Sequence, residues 1–348
     1  MDNSNQAILA SKLLSIISSE FLELIILPTE QCNFRCTYCY EDFSLGKMQK
    51  PIVAGIKKLL TARVPGLKVL KISWFGGEPL AAKDIVFDIS RHAVWLKEQY
   101  SHFSYLSAMT TNGYHLNVEL LNKLNQVGVT EFQISLDGPN EIHNKSRIRA
   151  DGAGTYEKIW ANLIAAHRSN LDFKVILRLH VTPDNILFLP KLMDEINVNF
   201  KNDPRFTIFF KTIENLGGPN AKSFQVVHGK DKPAILSELY KLVDPRIQIN
   251  KIENNKPYIC YAAQGNSFLI RSNGRLGKCT VALNDARNDI GQITPDGEFI
   301  LDNEKLSPWL RGITNFNLKN LECPVVNFPK ALVLGKNSIP VKVEMLER

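Results

Sequence analysis

Three cysteines stand close together near the start of the chain. Cys32, Cys36 and Cys39 fall within eight residues, although the 348 residues include only six cysteines. Thiolates with this spacing normally share a metal. A Cys-x3-Cys-x2-Cys motif supplies three ligands, whereas an iron–sulfur cube has four irons that each need one. One iron would therefore stay open to a ligand that is not protein.

Other uses of these thiols remain as alternatives. A structural zinc site would need a fourth Cys or His nearby, but the nearest histidine is His92, far along the chain. A disulfide is disfavoured because the number of cysteines in the motif is odd and the composition is that of an intracellular protein. Zinc binding and simple burial of the three thiols stay open.

Strands and helices must position these thiols. Short apolar runs alternate with helical stretches along the sequence, and this alternation predicts βα units around a parallel sheet. The first strand, Leu22–Pro28, places the Cys motif in the loop at its carboxyl end, where α/β barrels carry their chemistry. Six units are predicted, with strands at 22–28, 67–74, 105–111, 131–136, 173–181 and 206–213 and helices at 47–63, 82–100, 117–128, 155–169, 187–198 and 233–243.

The Cys motif, with Tyr38 before its third cysteine, resembles the signature of the radical S-adenosylmethionine (SAM) enzymes. The resemblance implies an α/β fold that forms an open, partial (β/α)6 TIM-like barrel. It also implies a [4Fe–4S] cluster on Cys32, Cys36 and Cys39, whose open iron is chelated by the amino and carboxylate groups of SAM. Tyr38 is expected to contact the cofactor.

A second motif, Gly76-Gly77-Glu78-Pro79, directly follows the second predicted strand. Alone it is also typical of an ordinary strand-to-helix turn. After the Cys loop, it resembles the family's Gly-Gly-Glu motif, which binds the amino group of the SAM methionine. Asn112 ends the third strand at the same edge, and the resemblance implies that it lies near the adenosine.

A third motif runs from Gln133 to Arg147 and contains Ser135-Leu-Asp-Gly-Pro. It resembles a block in radical SAM enzymes that modify peptides and proteins, and it implies that Ser135 contacts the SAM ribose and Arg147 the SAM carboxylate. The alternative is a strand-capping turn with an exposed salt bridge. Arg178, in the fifth strand, is a charge on a buried strand that needs a partner or a ligand, and a structural salt bridge is expected.

The other cysteines are Cys260, Cys279 and Cys323. Cys260-x13-Gly-x4-Cys279 resembles the opening of the C-terminal extension called SPASM, or its shorter relative called twitch, and a hairpin is expected to carry Cys279 on its second arm. A full extension has seven cysteines, so two auxiliary clusters are excluded. We expect one auxiliary iron–sulfur cluster, with an open iron or with Asp285 or Asp289 as fourth ligand; the alternative is three buried thiols.

Composition sets the remaining expectations. A hydrophobic content of 44% and a charged content of 22% are typical of a globular protein, and no membrane span is predicted. The net charge is +7, but the sequence contains no run of Lys and Arg dense enough to predict a nucleic-acid-binding patch. Reduced thiols and the absence of a signal peptide predict a cytoplasmic location. We predict a helical segment at 1–20, a radical SAM core at 21–230 and a C-terminal extension at 231–348, with Glu214–Lys232 as a linker or a lid.

The resemblance implies an enzyme that cleaves SAM to a 5′-deoxyadenosyl radical and abstracts hydrogen from a peptide. The expected substrate is a ribosomally made precursor peptide that becomes cross-linked or oxidised. The expected partners are a one-electron donor such as flavodoxin or ferredoxin and a separate leader-binding protein. The alternatives are a protein maturase of the sulfatase-maturing type and a non-catalytic iron–sulfur or partner-binding protein on the same scaffold.

Overall fold

Strands and helices alternate through most of the chain. The structure is a computed structural model, which describes residues 14, 16–250, 258–326 and 328. The first six strands are β1 (Phe21–Ile26), β2 (Val69–Trp74), β3 (Ser104–Thr111), β4 (Val129–Leu136), β5 (Lys174–Val181) and β6 (Phe206–Thr212). The helices between and after them are α1 (Lys50–Arg63), α2 (Lys83–Gln99), α3 (Val118–Gln126), α4 (Asn140–Ser146), α5 (Tyr156–His167), α6 (Leu189–Phe200) and α7 (Lys232–Lys241).

The later part of the chain adds shorter elements to the same sheet. They are β7 (Gln248–Ile249), β8 (Ser267–Ile270), β9 (Arg275–Gly277), β10 (Gly291–Ile293), β11 (Phe299–Leu301), α8 (Asn303–Thr314) and α9 (Leu318–Glu322). The strand order is β11-β10-β9-β8-β1-β2-β3-β4-β5-β6-β7. Strands β1 to β7 pair in parallel, β8 pairs in parallel with β1, and β8 to β11 are mutually antiparallel.

Within the described residues, β7 and β11 are the edges of this sheet, which does not close on itself. The predicted open six-unit barrel with a small α+β extension is therefore confirmed. Because β8 of the extension pairs with β1 of the core, the two parts share one continuous sheet. The boundary at 230/231 stays a prediction, and the predicted helical segment at 1–20 falls mostly outside the described residues.

Alternation along the strands separates an outer apolar face from an inner face. In β5, Val175, Leu177 and Leu179 are buried in the main hydrophobic core with residues of α5 and α6. Successive side chains of a strand point to opposite faces, so Arg178 and His180 point into the barrel. The inner face of each strand thus supplies polar side chains to the mouth of the barrel.

Local signals account for the predicted helices better than for the later elements. Helix α3 begins after Asn117, whose side-chain oxygen accepts a hydrogen bond from the Leu120 amide at 2.8 Å, as its sequence position predicts. The hairpin β8–β9 forms, but β9 ends at Gly277, so Cys279 lies just beyond its second arm. The short helix α4 was not predicted.

No helix among the described residues is long and apolar enough to cross a membrane.

Candidate active site

Four loops meet at the carboxyl ends of β1 to β4. The Cys loop follows β1, the Gly-Gly-Glu turn follows β2, Asn112 follows β3, and the block from Asp137 to Arg147 follows β4. Because these four strands are parallel neighbours, their carboxyl ends lie at one edge of the sheet. The three motifs that are separate in sequence therefore form one site.

Backbone hydrogen bonds attach the Cys loop to the segment after α4. The Arg35 amide donates to the Ile148 carbonyl at 2.8 Å, and the Thr37 amide donates to the Ser146 carbonyl at 2.9 Å. The Cys39 amide donates to the Cys36 carbonyl at 3.1 Å, which closes a turn between two of the thiols. The Cys loop is thus stabilised both by hydrogen bonds to the segment at 146–148 and by its own turn.

The thiols of the Cys loop lie in surroundings that disfavour their charged form. Burial raises the pKa of Cys32 and of Cys39 to about 12, with nearby negative charge adding to the effect, and burial also raises the pKa of Cys36. Thiolates would form here only beside a compensating positive charge such as a metal centre.

The arrangement of these thiols tests which metal group they suit. Among the described residues, no three His, Cys, Asp or Glu side chains gather closely enough to hold a single metal ion. In a [4Fe–4S] cluster each thiolate binds a different iron, so its ligands stand farther apart than those of one ion. Cys32, Cys36 and Cys39 supply three thiols from one loop, which fits a [4Fe–4S] cluster with one open iron.

The Gly-Gly-Glu turn packs directly on the Cys loop. A Cβ atom added to Gly76, where φ is +108°, would lie 2.3 Å from the Thr29 carbonyl oxygen, and one added to Gly77 would lie 2.5 Å from the Gln31 carbonyl oxygen. Only glycine permits this approach. The turn consequently brings backbone groups next to the residue that precedes Cys32.

Glu78 is fully buried at the end of this turn. Its carboxylate accepts hydrogen bonds from the amides of Leu80 at 3.0 Å and Asn112 at 2.7 Å and from the Thr111 hydroxyl at 2.7 Å. Burial nevertheless raises its pKa. Glu78 thus ties the end of β3 to the turn after β2, in addition to the amino-group contact predicted for it.

Asn112 extends this connection to the Cys loop. Its side-chain amide donates to Asn33 Oδ1 at 2.8 Å and lies 3.9 Å from Cys32 Sγ. The structure therefore places the predicted cofactor residue beside the first cysteine. Ser135, another predicted contact, is buried on β4 next to Arg178 of β5.

A polar network fills the space beneath the third cysteine. The Tyr38 hydroxyl donates to Asp137 Oδ2 at 2.7 Å and accepts from Arg147 Nη1 at 2.8 Å. The Nδ1 atom of His180 lies 3.0 Å from Asp137 Oδ1, and the Ser146 hydroxyl donates to Asp137 Oδ2 at 2.5 Å. The two predicted SAM contacts, Tyr38 and Arg147, are thus bonded directly to each other, and Tyr38 is also bonded to Asp137, a residue of the third motif that was not predicted as a site residue.

Arg147 keeps unused hydrogen-bonding capacity in this network. Its Nε is buried and has no hydrogen-bond partner. A buried guanidinium with a free N–H suits an anionic ligand group such as a carboxylate. This is the role predicted for Arg147 from the third motif.

The segment between β6 and α7 covers the Cys loop, as the lid interpretation predicts. The side-chain amide of Asn220 donates to the Cys36 carbonyl at 3.3 Å, and the Ser223 hydroxyl donates to the Thr37 carbonyl at 3.4 Å. Between this segment and the loop lies a cavity of about 430 Å³ lined by Arg35, Cys36, Thr37, Phe43, Pro219, Asn220 and Ser223.

His143 holds the turn of the third motif in place, as a fully buried and neutral side chain. Its Nδ1 accepts from the Asp137 amide at 3.3 Å. Its Nε2 lies 3.1 Å from the Thr155 hydroxyl, which itself donates to the Arg147 carbonyl at 2.6 Å, so Nε2–H is the donor to Thr155. Burial lowers the pKa of His143 to about 3, because a proton on Nδ1 would break the first bond and bury a charge.

This histidine predicts a stability change with pH. A native pKa below the ordinary value of about 6.5 means that the unfolded chain binds the proton first, so stability is complete above pH ~6.5 and falls between there and pH ~3. The expected slope is about 1.4 kcal/mol per pH unit. In anaerobic urea unfolding from pH 7.5 to 5, the slope should be smaller in His143→Gln than in the wild type by about this amount, while buried His180, whose pKa burial lowers to about 4, keeps contributing in both proteins. The exposed His102→Gln variant is the control; an equal slope in all three proteins would contradict the assignment.

The three later cysteines also come together. Each of Cys260, Cys279 and Cys323 lies within electrostatic reach of another, and the Cys260 amide donates to the Leu321 carbonyl at 2.9 Å, next to Cys323. Burial raises the pKa of Cys260 to about 11 and also raises the pKa of Cys279. Cys260 and Cys279, like the thiols of the Cys loop, would become thiolates only beside a positive centre.

Neither predicted aspartate is free to serve as a fourth ligand. Asp285 pairs with Arg287 at 2.5 Å, and Asp289 pairs with Arg275 at 3.1 Å. An aspartate engaged by arginine would have to give up that pair to bind iron. Of the options stated above, an open iron is the one these contacts favour.

Asn288, which the sequence did not single out, orders the loop that carries Cys279. Its Oδ1 accepts from the amides of Lys278 at 2.8 Å and Cys279 at 3.0 Å, and its Nδ2 donates to the carbonyls of Cys279 at 2.8 Å and Ala282 at 3.0 Å. One buried side chain thus satisfies four backbone groups. No local spacing signals this role, because the partners lie six to ten residues away.

Removing this side chain should therefore destabilise the extension. Asn288→Ala would leave two buried amides without partners, and we expect the free energy of unfolding to fall by about 3 kcal/mol. Asn273→Ala removes a single exposed turn bond, to the Arg275 amide, and should cost about 0.5 kcal/mol or less. Chemical denaturation of the two variants checks the difference, and equal losses would show that the four bonds contribute little.

Comparison with known proteins adds a family to this geometry. Residues 26–195 match the model of the radical SAM superfamily. A cysteine-type anaerobic sulfatase-maturating enzyme from Clostridium novyi is 25% identical over 64% of this chain and 59% of its own length. A GTP 3′,8-cyclase from Haemophilus influenzae is 29% identical over 38% of this chain and 39% of its own. The chain thus spans less than two thirds of these relatives.

Solved structures share the fold. The structure of anSMEcpe with bound AdoMet and Cp18Cys peptide has a TM-score of 0.62 at 20% identity and covers 83% of both chains. Streptococcus suis SuiB bound to the precursor peptide SuiA has a TM-score of 0.58 at 17% identity and covers 88% of this chain and 70% of SuiB.

The matched residues include all three motifs of the site, from the Cys loop to Arg147. Enzymes of this family use a [4Fe–4S] cluster and AdoMet, which is SAM, and the thiols and the buried guanidinium described above suit both. Residues 26–195 of this chain thus form a domain similar to that of the radical SAM superfamily, and the relatives that share it are enzymes.

Proposed function

We propose that this protein is a peptide maturase that abstracts hydrogen from a ribosomally made precursor peptide, which becomes cross-linked or oxidised. The observation that carries the proposal is the joining of the Cys loop to Asp137 and Arg147 through Tyr38, by hydrogen bonds that span 99 and 109 residues of sequence. When bound, the cluster supplies one electron that cleaves SAM to the hydrogen-abstracting 5′-deoxyadenosyl radical. The protein positions SAM and excludes water.

The choice of a peptide substrate is supported by two further features. Ser135 and Arg147 belong to a motif that resembles the corresponding block of peptide- and protein-modifying relatives. The similar folds anSMEcpe and SuiB have each been solved with a peptide bound. A cross-link removes two hydrogens, and the second electron needs an acceptor. A single cluster on Cys260, Cys279 and Cys323 is our candidate for that acceptor.

The second candidate is a maturase that oxidises a residue of a partner enzyme, as sulfatase maturases do. The similarity to the Clostridium novyi enzyme favours it. The number of cysteines in the extension argues against it. The family resemblance implies that maturases of this type have an extension with seven cysteines, whereas this sequence contains three there. The reaction product distinguishes the two candidates.

Further parts of the proposal concern partners and location. A flavodoxin or ferredoxin would deliver the electron, because the reaction needs a one-electron donor. A separate protein would bind the leader of the precursor. We place the protein in the cytoplasm, where thiols stay reduced.

The test is anaerobic turnover. Reconstituted protein is incubated with SAM, dithionite and each short peptide encoded beside its gene, and products are followed by mass spectrometry. The expected result is 5′-deoxyadenosine together with a loss of about 2 Da from one peptide, the mass of the two hydrogens removed in a cross-link. A sulfatase-derived Cys or Ser peptide is the second substrate. Modification of that peptide alone would favour the alternative, and SAM cleavage without any peptide change would count against both.

A further inference from the structure

Arg178 is a charge inside the barrel for which the fold supplies no partner. Its Nε is buried and has no hydrogen-bond partner, and no carboxylate of the described residues lies within ion-pair distance of the side chain. The salt bridge expected from the sequence is therefore absent from the described structure. Burying an arginine without an anion is costly, so its retention needs another explanation.

The position of Arg178 on β5 determines which groups its side chain can contact. Its neighbours across the sheet are Ser135 on β4 and Phe209 on β6, and its guanidinium lies 5.9 Å from the centre of the Phe209 ring. His180, two residues along the same face of β5, belongs to the network beneath Tyr38. Arg178 therefore lies level with Ser135 and two residues further from the carboxyl end of β5 than His180, on the same inner wall.

The residue is partly exposed although its Nε is shielded from solvent. Its exposed part is thus elsewhere on the residue, on the side of the barrel interior. Burial lowers the pKa of Arg178, the direction expected of a cation without a matching anion.

Nearby acidic groups are already engaged. Glu23 pairs with Lys71 at 2.8 Å, and Glu214 is shared between Lys211 at 3.2 Å and Lys232 at 3.3 Å. The other buried carboxylate of this wall, Asp137, accepts the three hydrogen bonds described above. None of these carboxylates forms an ion pair with Arg178.

We propose that Arg178 binds a carboxylate of the substrate inside the barrel, beside SAM. For a peptide, this group is an Asp or Glu side chain or the carboxyl terminus, and the guanidinium can hold either in a bidentate pair. The inference rests on the proposed function for the peptide nature of the substrate. The position of the unpartnered cation is independent of it.

The test measures binding of small probes and needs no turnover. The probes are N-acetyl-aspartate amide for a side-chain carboxylate, N-acetyl-alanine for a terminal carboxylate and N-acetyl-asparagine amide as the neutral match. Dissociation constants are measured by ligand-observed NMR on reconstituted protein saturated with SAM and without reductant. SAM then occupies Arg147 and is not cleaved, so a probe carboxylate cannot report that residue.

We expect one of the two carboxylate probes to bind about tenfold or more tightly than the neutral amide, and which one does so identifies the kind of carboxylate. Arg178→Gln should remove this preference. Arg91→Gln is the matched control, because Arg91 is exposed and also lies over a phenylalanine ring, Phe87 at 5.4 Å. It should bind all three probes as the wild type does.

Equal binding of the carboxylate and amide probes, or a preference that survives in Arg178→Gln, would overturn the proposal. If Arg178→Gln does not fold, Arg178→Lys replaces it, since lysine keeps the charge but loses the fork and should weaken the preference several-fold. Because SAM cleavage and peptide modification are measured separately, failure here leaves the proposed function testable on its own.

Discussion

Alanine replacement of Cys32, Cys36 and Cys39 together is expected to remove about four irons per chain and to abolish reductive cleavage of SAM. The reason is the position of these thiols: they lie in one loop that hydrogen bonds tie to the predicted SAM-contacting block. Iron and sulfide analysis, electron paramagnetic resonance and 5′-deoxyadenosine assays on anaerobically reconstituted protein check the result. Retained SAM cleavage in this variant would refute the site.

The matched control replaces Cys260, Cys279 and Cys323 by alanine. If these thiols hold one cluster, the wild type contains about eight irons, each triple variant contains about four, and only the first variant loses SAM cleavage. About four irons in the wild type, none of them lost in the second variant, would instead mean that the later cysteines are structural. Oxidative cross-linking would then lose its candidate electron acceptor, and redox-neutral chemistry such as epimerisation would become the better proposal.

The parts of this site that were predictable from sequence are those with local signals. The Cys loop, the Gly-Gly-Glu turn and the third motif each follow a strand whose apolar run is readable, and parallel strands necessarily bring their carboxyl ends together. The covering segment was predictable as well, because Gly217 and Gly218 break the pattern between β6 and α7.

What the sequence could not provide are contacts between distant segments. Asp137 meets His180 across 43 residues and Tyr38 across 99 residues, and no spacing rule relates these positions. The parallel pairing of β8 with β1 joins the two ends of the chain in the same way. Arg178 was expected to form an ion pair on general energetic grounds, but no carboxylate of the described residues lies within ion-pair distance of it.

Asp137→Asn should be the most damaging single substitution outside the cysteines. Asp137 is 2% exposed. Burial alone would raise its pKa, but the hydrogen bond from His180 and the charge of Arg147 outweigh burial and hold the pKa well below the usual range. Asparagine keeps the shape but removes the negative charge that accepts hydrogen bonds from Tyr38, His180 and Ser146 and that lies near the buried Arg147. We expect the free energy of unfolding to fall by about 3–5 kcal/mol.

The same substitution should weaken SAM binding, because Tyr38 and Arg147 are held in place through Asp137. We expect an affinity for SAM at least about tenfold lower, measured by calorimetry without reductant. Asp203→Asn is the matched control, since Asp203 is also buried and bonded to Arg205 and His167 but lies away from the Cys loop. Both variants should lose stability, whereas only Asp137→Asn should lose SAM affinity. If the two variants bind SAM equally well, Asp137 supports the fold alone, and Tyr38 and Arg147 must be positioned by other contacts.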